Sequence, residues 1–250
     1  MVLMAQRYRL CGLHLLVIIT VFFIWICSTY HMGYGKNVMQ YNAFGSTLVM
    51  QGFLLWRKLS SVNNVYWQNQ IQVIEESIQW LQREGSTSGW FSSKDYFLMG
   101  HSAGAHLAST VALRWPSESK HQLKGVITLS GVYDVTSLGF LGNQMYIIPA
   151  FGADTKHLTE ASPMSVLETH TGALPKFLVI NARLDLPGLQ KQADRFVTRL
   201  RAKGVKCHQS IWGWCDHTTI LLKFKTRGKK DNLVEVIRDF ILNNNELFMS

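Results

Sequence analysis

Charged residues are scarce in this chain. Asp, Glu, Lys and Arg make up 16% of its 250 residues, against about 25% in ordinary soluble domains. Hydrophobic residues make up 47%. A disordered chain needs the reverse balance, so disorder is excluded as the main architecture, and coiled coil and collagen go with it. Cysteine is scarce too: four residues, at 11, 27, 207 and 215, with no C-x-x-C pair among them. That excludes a disulfide scaffold and leaves no zinc or redox motif; thiols this sparse fit a reducing compartment. There is no H-E-x-x-H and no glycine-rich dinucleotide signature, so no cofactor is expected. No internal repeat or low-complexity tract appears. Acidic residues are the rarer sign, 16 against 25 basic, for a formal charge of +9. The densest basic cluster, Lys223, Lys225, Arg227, Lys229 and Lys230, is short and sits in no nucleic-acid module. It reads as a solvated loop, with anionic membrane contact as the second reading. No nucleic-acid partner is expected.

Between Leu10 and Gly35 there is no charged side chain, and Leu15 to Ile26 is almost wholly apolar. Two readings of this run stand. With Arg7 and Arg9 ahead of it, it is long enough to be a single-pass signal anchor over about 10–29, which makes the protein membrane-associated. A cleaved signal peptide fits less well, since no small-x-small site follows. Alternatively the run is an early buried strand, rich in β-branched and aromatic residues, and the protein is cytoplasmic. The same residues cannot do both. The chain therefore divides into an apolar segment, 1–35, and one domain, 36–250.

Beyond it, strand and helix patterns alternate. Short apolar runs at 53–56, 95–99, 126–129, 177–180 and 207–212 read as strands. Ile71, Ile74, Ile78 and Leu81 share a helix face over 67–83; helices also fit 103–114 and 188–203. Asp231 can cap a last helix carrying Leu233, Val234, Ile237, Phe240 and Ile241. This alternation predicts an α/β fold, a mostly parallel sheet with helices on both faces. Residues 131–172 lack periodicity, and 134–172 is expected to form a cap-like insert.

The chemistry starts at Gly100-His101-Ser102-Ala103-Gly104. This is G-x-S-x-G between a strand and a helix. A serine nucleophile needs a sharp turn that lifts its oxygen clear of the sheet, and glycine on either side relieves the crowding. The helix that follows aims its N-terminus at the site, and the Ala103 N–H is one candidate oxyanion donor. The hydroxyl needs a base, and the base needs a carboxylate to orient it. With this turn the chain order is Ser, acid, His. Asp185 follows the strand at 177–180 and His217 follows the strand at 207–212, both at carboxyl ends. Asp134 also follows a strand and remains an alternative acid. Asp216 adjoins His217 in sequence and is expected to point elsewhere. His101 and His106 read as structural or pocket-lining. His121, His157, His170 and His208 lack a motif. Phe140, Leu141, Met145, Tyr146, Trp212 and Trp214 are candidates for an apolar pocket, and core packing explains each equally well.

Gly100 to Ala108 resembles the nucleophile region of kynurenine formamidases (arylformamidases), and Leu129 to Asp134 resembles the strand and turn that follow there. The stretch around Asp185 and the Asp216-His217 pair are similar to that family's acid and histidine positions. Isoprenylcysteine methylesterases, which are membrane proteins, are similar over the same region, with Tyr96 to Met99 and His217-Thr218 resembling theirs. The resemblance covers roughly 45–245. It implies an esterase-type α/β-hydrolase, N-terminally shortened, that cleaves a small carboxylic ester or aryl N-formyl amide through Ser102, His217 and Asp185. One departure stands out. These families carry a His-Gly-Gly motif that completes the oxyanion hole. Here an ungapped comparison puts Ile26-Cys27-Ser28 in that place, and a shifted one His31-Met32-Gly33. If 15–26 is the early strand, the Cys27 and Ser28 N–H groups serve; a missing donor typically costs about 100- to 1000-fold. An impaired hydrolase-like protein and a ligand-binding module therefore stay open as alternatives. The oligomeric state is left open.

Overall fold

The computed structural model describes residues 16–23, 54–59, 67–80, 83, 96–114, 123–139, 147–151, 153–225 and 233–242. Among these, six strands form one sheet: β1 (Leu16–Phe23), β2 (Leu54–Leu59), β3 (Tyr96–His101), β4 (Leu123–Leu129), β5 (Lys176–Leu184) and β6 (Cys207–Asp216). Every neighbouring pair is parallel, and the order is β2-β1-β3-β4-β5-β6. The helices are α1 (Trp67–Trp80), α2 (Ala103–Arg114), α3 (Ile148–Phe151), α4 (Thr155–Ala161), α5 (Pro163–Thr169), α6 (Leu189–Ala202) and α7 (Leu233–Leu242), with a 3-10 helix over Thr219–Lys225.

The alternation of side chains along each strand sets the two cores. One face carries Tyr96, Leu98, Val126, Phe177 and Val179, packed with buried residues of α1, α2, α5 and α6. The other carries Phe97, Met99, Ile127, Leu129, Leu178 and Ile180, packed with the 3-10 helix and α7. Covered on both sides, β3 is buried at all six positions, which is why it reads as a continuous apolar run. Helix α2 is buried from Gly104 to Leu113, as a helix apolar around most of its circumference must be. Helix α6 buries Leu189, Ala193, Phe196, Val197 and Leu200 at steps of three and four.

Of the two readings of the apolar run near the N-terminus, residues 16–23 take the strand: they form β1, with a partner on each side. Val17 pairs in register with Phe97, and Ile18 with both Leu54 and Leu98. Its β-branched sequence suits an interior parallel strand, and its backbone groups find partners in the ladder rather than in a helix. These residues belong to the same sheet as the rest of the domain. Among the described residues, no helix is long and apolar enough to cross a membrane. The stretch 134–172, expected to form a cap-like insert, holds α3, α4 and α5 among its described residues. Asp154 caps α4 by accepting from the Lys156 N–H at 2.8 Å, and Pro163 opens α5. Asp231, the expected cap of α7, lies outside the described residues.

The order reverses between β1 and β3: the chain runs outward to β2, then returns to the other side of β1. In open parallel sheets, ligands bind at the carboxyl ends of strands near such a reversal. Ser102 is the first residue beyond β3, at that point.

Candidate active site

Three strands each end one residue before a reactive side chain: β3 before Ser102, β5 before Asp185 and β6 before His217. The structure brings these three together. Ser102 Oγ lies 2.9 Å from His217 Nε2. His217 Nδ1 lies 2.7 Å from Asp185 Oδ1. An ionised carboxylate only accepts, so Nδ1 carries the proton, and the unprotonated Nε2 accepts from the serine hydroxyl.

The turn that presents Ser102 is strained. Ser102 adopts φ of 56°, a left-handed conformation that costs an L-residue of this kind about 1–3 kcal/mol. Its N–H donates to the Leu129 carbonyl at 2.9 Å, which ties the turn to β4. Only glycine fits at 100, since a Cβ there would sit 2.2 Å from the Gly104 carbonyl oxygen. The Ser102 carbonyl accepts from Ala105 and His106 at 3.0 and 3.1 Å. The Ala103 N–H, at the first helical position, is therefore one of those that α2 leaves without an internal partner. Cys27 and Ser28, the other expected oxyanion donors, lie outside the described residues, as does His31-Met32-Gly33. β1 ends at Phe23, two residues past Val21, which pairs with His101.

Asp185 is held on all sides. Its side chain is 1% exposed. Oδ1 also accepts from the Leu186 N–H at 2.9 Å, and Oδ2 from Asn181 Nδ2 at 3.0 Å. Burial pushes its pKa up. Hydrogen bonds from His217 and Asn181, with the Ser130 hydroxyl nearby and the His217 charge, outweigh that and hold the carboxyl below its ordinary value. The fold therefore favours the ionised form that an imidazolium needs beside it. Asn181 and Ser130 were missed in the sequence. The only signal was the spacing of Asn181, four residues before Asp185 at a strand end.

The other candidates are engaged elsewhere. Asp134 Oδ1 accepts from the Thr136 N–H at 3.0 Å and its hydroxyl at 2.6 Å, and Oδ2 faces Arg195 at 3.8 Å. Asp216 accepts from the Thr218 and Thr219 N–H groups at 2.9 and 2.7 Å, so it caps the turn after His217. His106 is buried, with Nε2 2.7 Å from the Ala161 carbonyl; burial lowers its pKa to about 4. His101 is buried beside Ser102, with Nε2 2.8 Å from the His217 carbonyl. His157 is exposed, His208 is half-buried, and His170 Nδ1 meets the Leu113 carbonyl at 2.9 Å. His121, Phe140, Leu141, Met145 and Tyr146 lie outside the described residues. Trp212 packs against the core under α7. Trp214 stands at the surface, 77% exposed, with the Arg183 guanidinium 5.2 Å from its ring centre. Among the described residues no group of three or more His, Cys, Asp or Glu side chains is placed to hold a metal ion. A cavity of about 520 Å³, lined in part by Lys176, Lys203 and Lys206, opens at the amino ends of β5 and β6, the opposite end of the sheet from Ser102.

Comparison with known proteins bears on the family and the fold. Two probable isoprenylcysteine alpha-carbonyl methylesterases of Oryza sativa subsp. japonica are similar in sequence. One is 25% identical over 168 residues, 60% of this chain and 40% of the relative. The other is 26% identical over 156 residues, 56% of this chain and 38% of the relative. The chain thus spans about 40% of the length of the curated relatives it matches. Among solved structures, esterase B from Lactobacillus rhamnosis superposes with a TM-score of 0.71 at 21% identity, covering 95% of this chain and 78% of that one. The Pyrobaculum calidifontis esterase gives 0.66 at 13% identity, covering 91% and 77%. At such identities the likeness speaks for the fold. The family model described as alpha/beta hydrolase fold matches residues 67–221, well over half of the chain and from α1 into the 3-10 helix. On that match the protein belongs to the alpha/beta hydrolase fold family.

Proposed function

We propose that the protein is a serine hydrolase of carboxylic esters. The observation that carries this reading is the unbroken hydrogen-bonded series from the Ser102 hydroxyl through the His217 ring to Asp185, at 2.9 and 2.7 Å. Ser102 Oγ attacks the ester carbonyl carbon as its proton passes to His217 Nε2. Asp185 stabilises the resulting imidazolium and fixes its tautomer. The carbonyl oxygen becomes an oxyanion facing the Ala103 N–H at the start of α2. Collapse of the intermediate expels the alcohol, which takes the proton from His217. Water then attacks the acyl carbon as its proton passes to His217, and the second collapse breaks the Ser102 Oγ–acyl bond, returns that proton to Oγ and releases the acid.

An ester is favoured over an amide because the named relatives are methylesterases and the structural neighbours are esterases. An isoprenylcysteine-type methyl ester is the narrower form of this reading. The aryl N-formyl amide remains the second substrate, on the resemblance of residues 100–108. A fluorophosphonate probe is expected to label the wild type and not Ser102→Ala. A folded wild type that stays unlabelled defeats the hydrolase reading and leaves the impaired or ligand-binding alternative. A p-nitrophenyl ester and N-formylkynurenine, tested side by side, separate esterase from formamidase.

A further inference from the structure

His217 meets the rest of the site at three points, and one of them belongs to no catalytic triad. Its ring nitrogens face Ser102 and Asp185. Its main-chain carbonyl lies 2.8 Å from His101 Nε2. A carbonyl only accepts, so His101 donates through Nε2–H. The two imidazole rings also pack, with centroids 4.9 Å apart and planes tilted by 44°. His101 is itself enclosed: it ends β3, is 2% exposed and precedes the strained Ser102.

We propose that His101 is a positioning residue for the general base, holding the His217 main chain so that the ring meets Ser102 at the reacting distance. This rests on the serine hydrolase reading above. The physical need is clear from the local chain. His217 sits beyond the last residue of β6, where the ladder no longer fixes the backbone. On its far side the Asp216 carboxylate ties Thr218 and Thr219. On its near side His101 ties the carbonyl to the same turn that carries the nucleophile. The two partners of the proton transfer are therefore referenced to one rigid element. A neighbour of this kind must also stay uncharged, because His217 becomes cationic during turnover. Burial and the His217 charge hold the pKa of His101 down to about 3, so it remains a neutral donor at ordinary pH.

The test compares His101→Leu, which fills similar volume without a donor, with His101→Gln, which keeps one. Displacement of a reacting group by about 1 Å costs on the order of 100-fold in rate. His101→Leu is therefore expected to lower kcat on a p-nitrophenyl ester by about 30- to 100-fold with KM little changed. His101→Gln is expected to recover most of that loss. His101→Met is the second donor-less variant if the leucine protein does not fold, as judged by circular dichroism. The low-field proton resonance of His217 Nδ1–H should persist in wild type and His101→Gln and broaden or shift in the donor-less variants. The proposal is overturned if folded His101→Leu or His101→Met keeps wild-type kcat, if His101→Gln falls as far as they do, or if the resonance is the same in all. A wild type unlabelled by fluorophosphonate defeats the hydrolase reading instead, and the resonance comparison then decides on His101 alone.

Discussion

Replacing Asp185 by Asn removes one charge and changes little else, which makes it a searching test of the site. Oδ1 accepts from both His217 Nδ1 and the Leu186 N–H, and Oδ2 accepts from Asn181. An asparagine can keep its oxygen toward His217 and Leu186. Its NH₂ then faces the Asn181 amide, whose Oδ1 is buried without a hydrogen-bond partner. A flip of Asn181 turns that conflict into a hydrogen bond, so the variant should fold. What it loses is the negative charge that stabilises the His217 imidazolium, in a site where Asp185 is 1% exposed and solvent screens little. The corresponding change in a serine protease triad lowers kcat by about 10⁴-fold, or roughly 5.5 kcal/mol at 1.36 kcal/mol per decade. Asp185→Asn should therefore lose about three to four decades of kcat on a p-nitrophenyl ester, and fluorophosphonate labelling should slow in parallel. Asp134→Asn, whose carboxylate serves Thr136 and Arg195, should stay near wild type. A folded Asp185→Asn within tenfold of wild type, or an equal loss in Asp134→Asn, refutes the assignment of the acid.

Three further outcomes follow from the packing. Gly100→Ala places a Cβ 2.2 Å from the Gly104 carbonyl oxygen, which is backbone and cannot swing aside; a loss of about 3 kcal/mol or more is expected in urea unfolding, and an unchanged midpoint contradicts the turn geometry. Gln192 is buried and its amide serves the Tyr133 and Asp134 N–H groups, the Asp134 carbonyl and Ser137; Gln192→Leu strands those groups and should cost about 2–4 kcal/mol by the same measurement. Acid should weaken the fold through the buried histidines: burial depresses His101 and His106 to about 3 and about 4, so the unfolded chain takes up protons below its ordinary histidine pKa while the folded one refuses them. Their contribution is present above about 6.5 and is lost as pH falls toward the folded values. Asp185 acts in the same sense lower down, since its depressed pKa favours the ionised form. His106→Gln, which keeps a donor toward the Ala161 carbonyl, should flatten the slope of stability between pH 6.5 and 4; a slope equal to wild type removes His106 from the account.

The sequence by itself determined what is local. Strand and helix periods are set by neighbours a few residues apart, so the alternation was legible, and helix 103–114 appears with the same bounds in the structure. The strained turn at Ser102 was legible for the same reason, since Gly100, Ser102 and Gly104 answer constraints within one turn of chain. Boundaries set by pairing were not: β5 and β6 run to Leu184 and Asp216, beyond their apolar stretches, because each extends as far as the other strand gives it a ladder. Only the tertiary structure could use residues 16–23 as a strand between β2 and β3, because a run apolar on every side fits lipid and a covered sheet equally well. Only it could choose Asp185 over Asp134 and Asp216. All three are carboxylates near strand ends, and what separates them is which one the fold closes against an imidazole 32 residues away and which ones find hydrogen-bond donors next door.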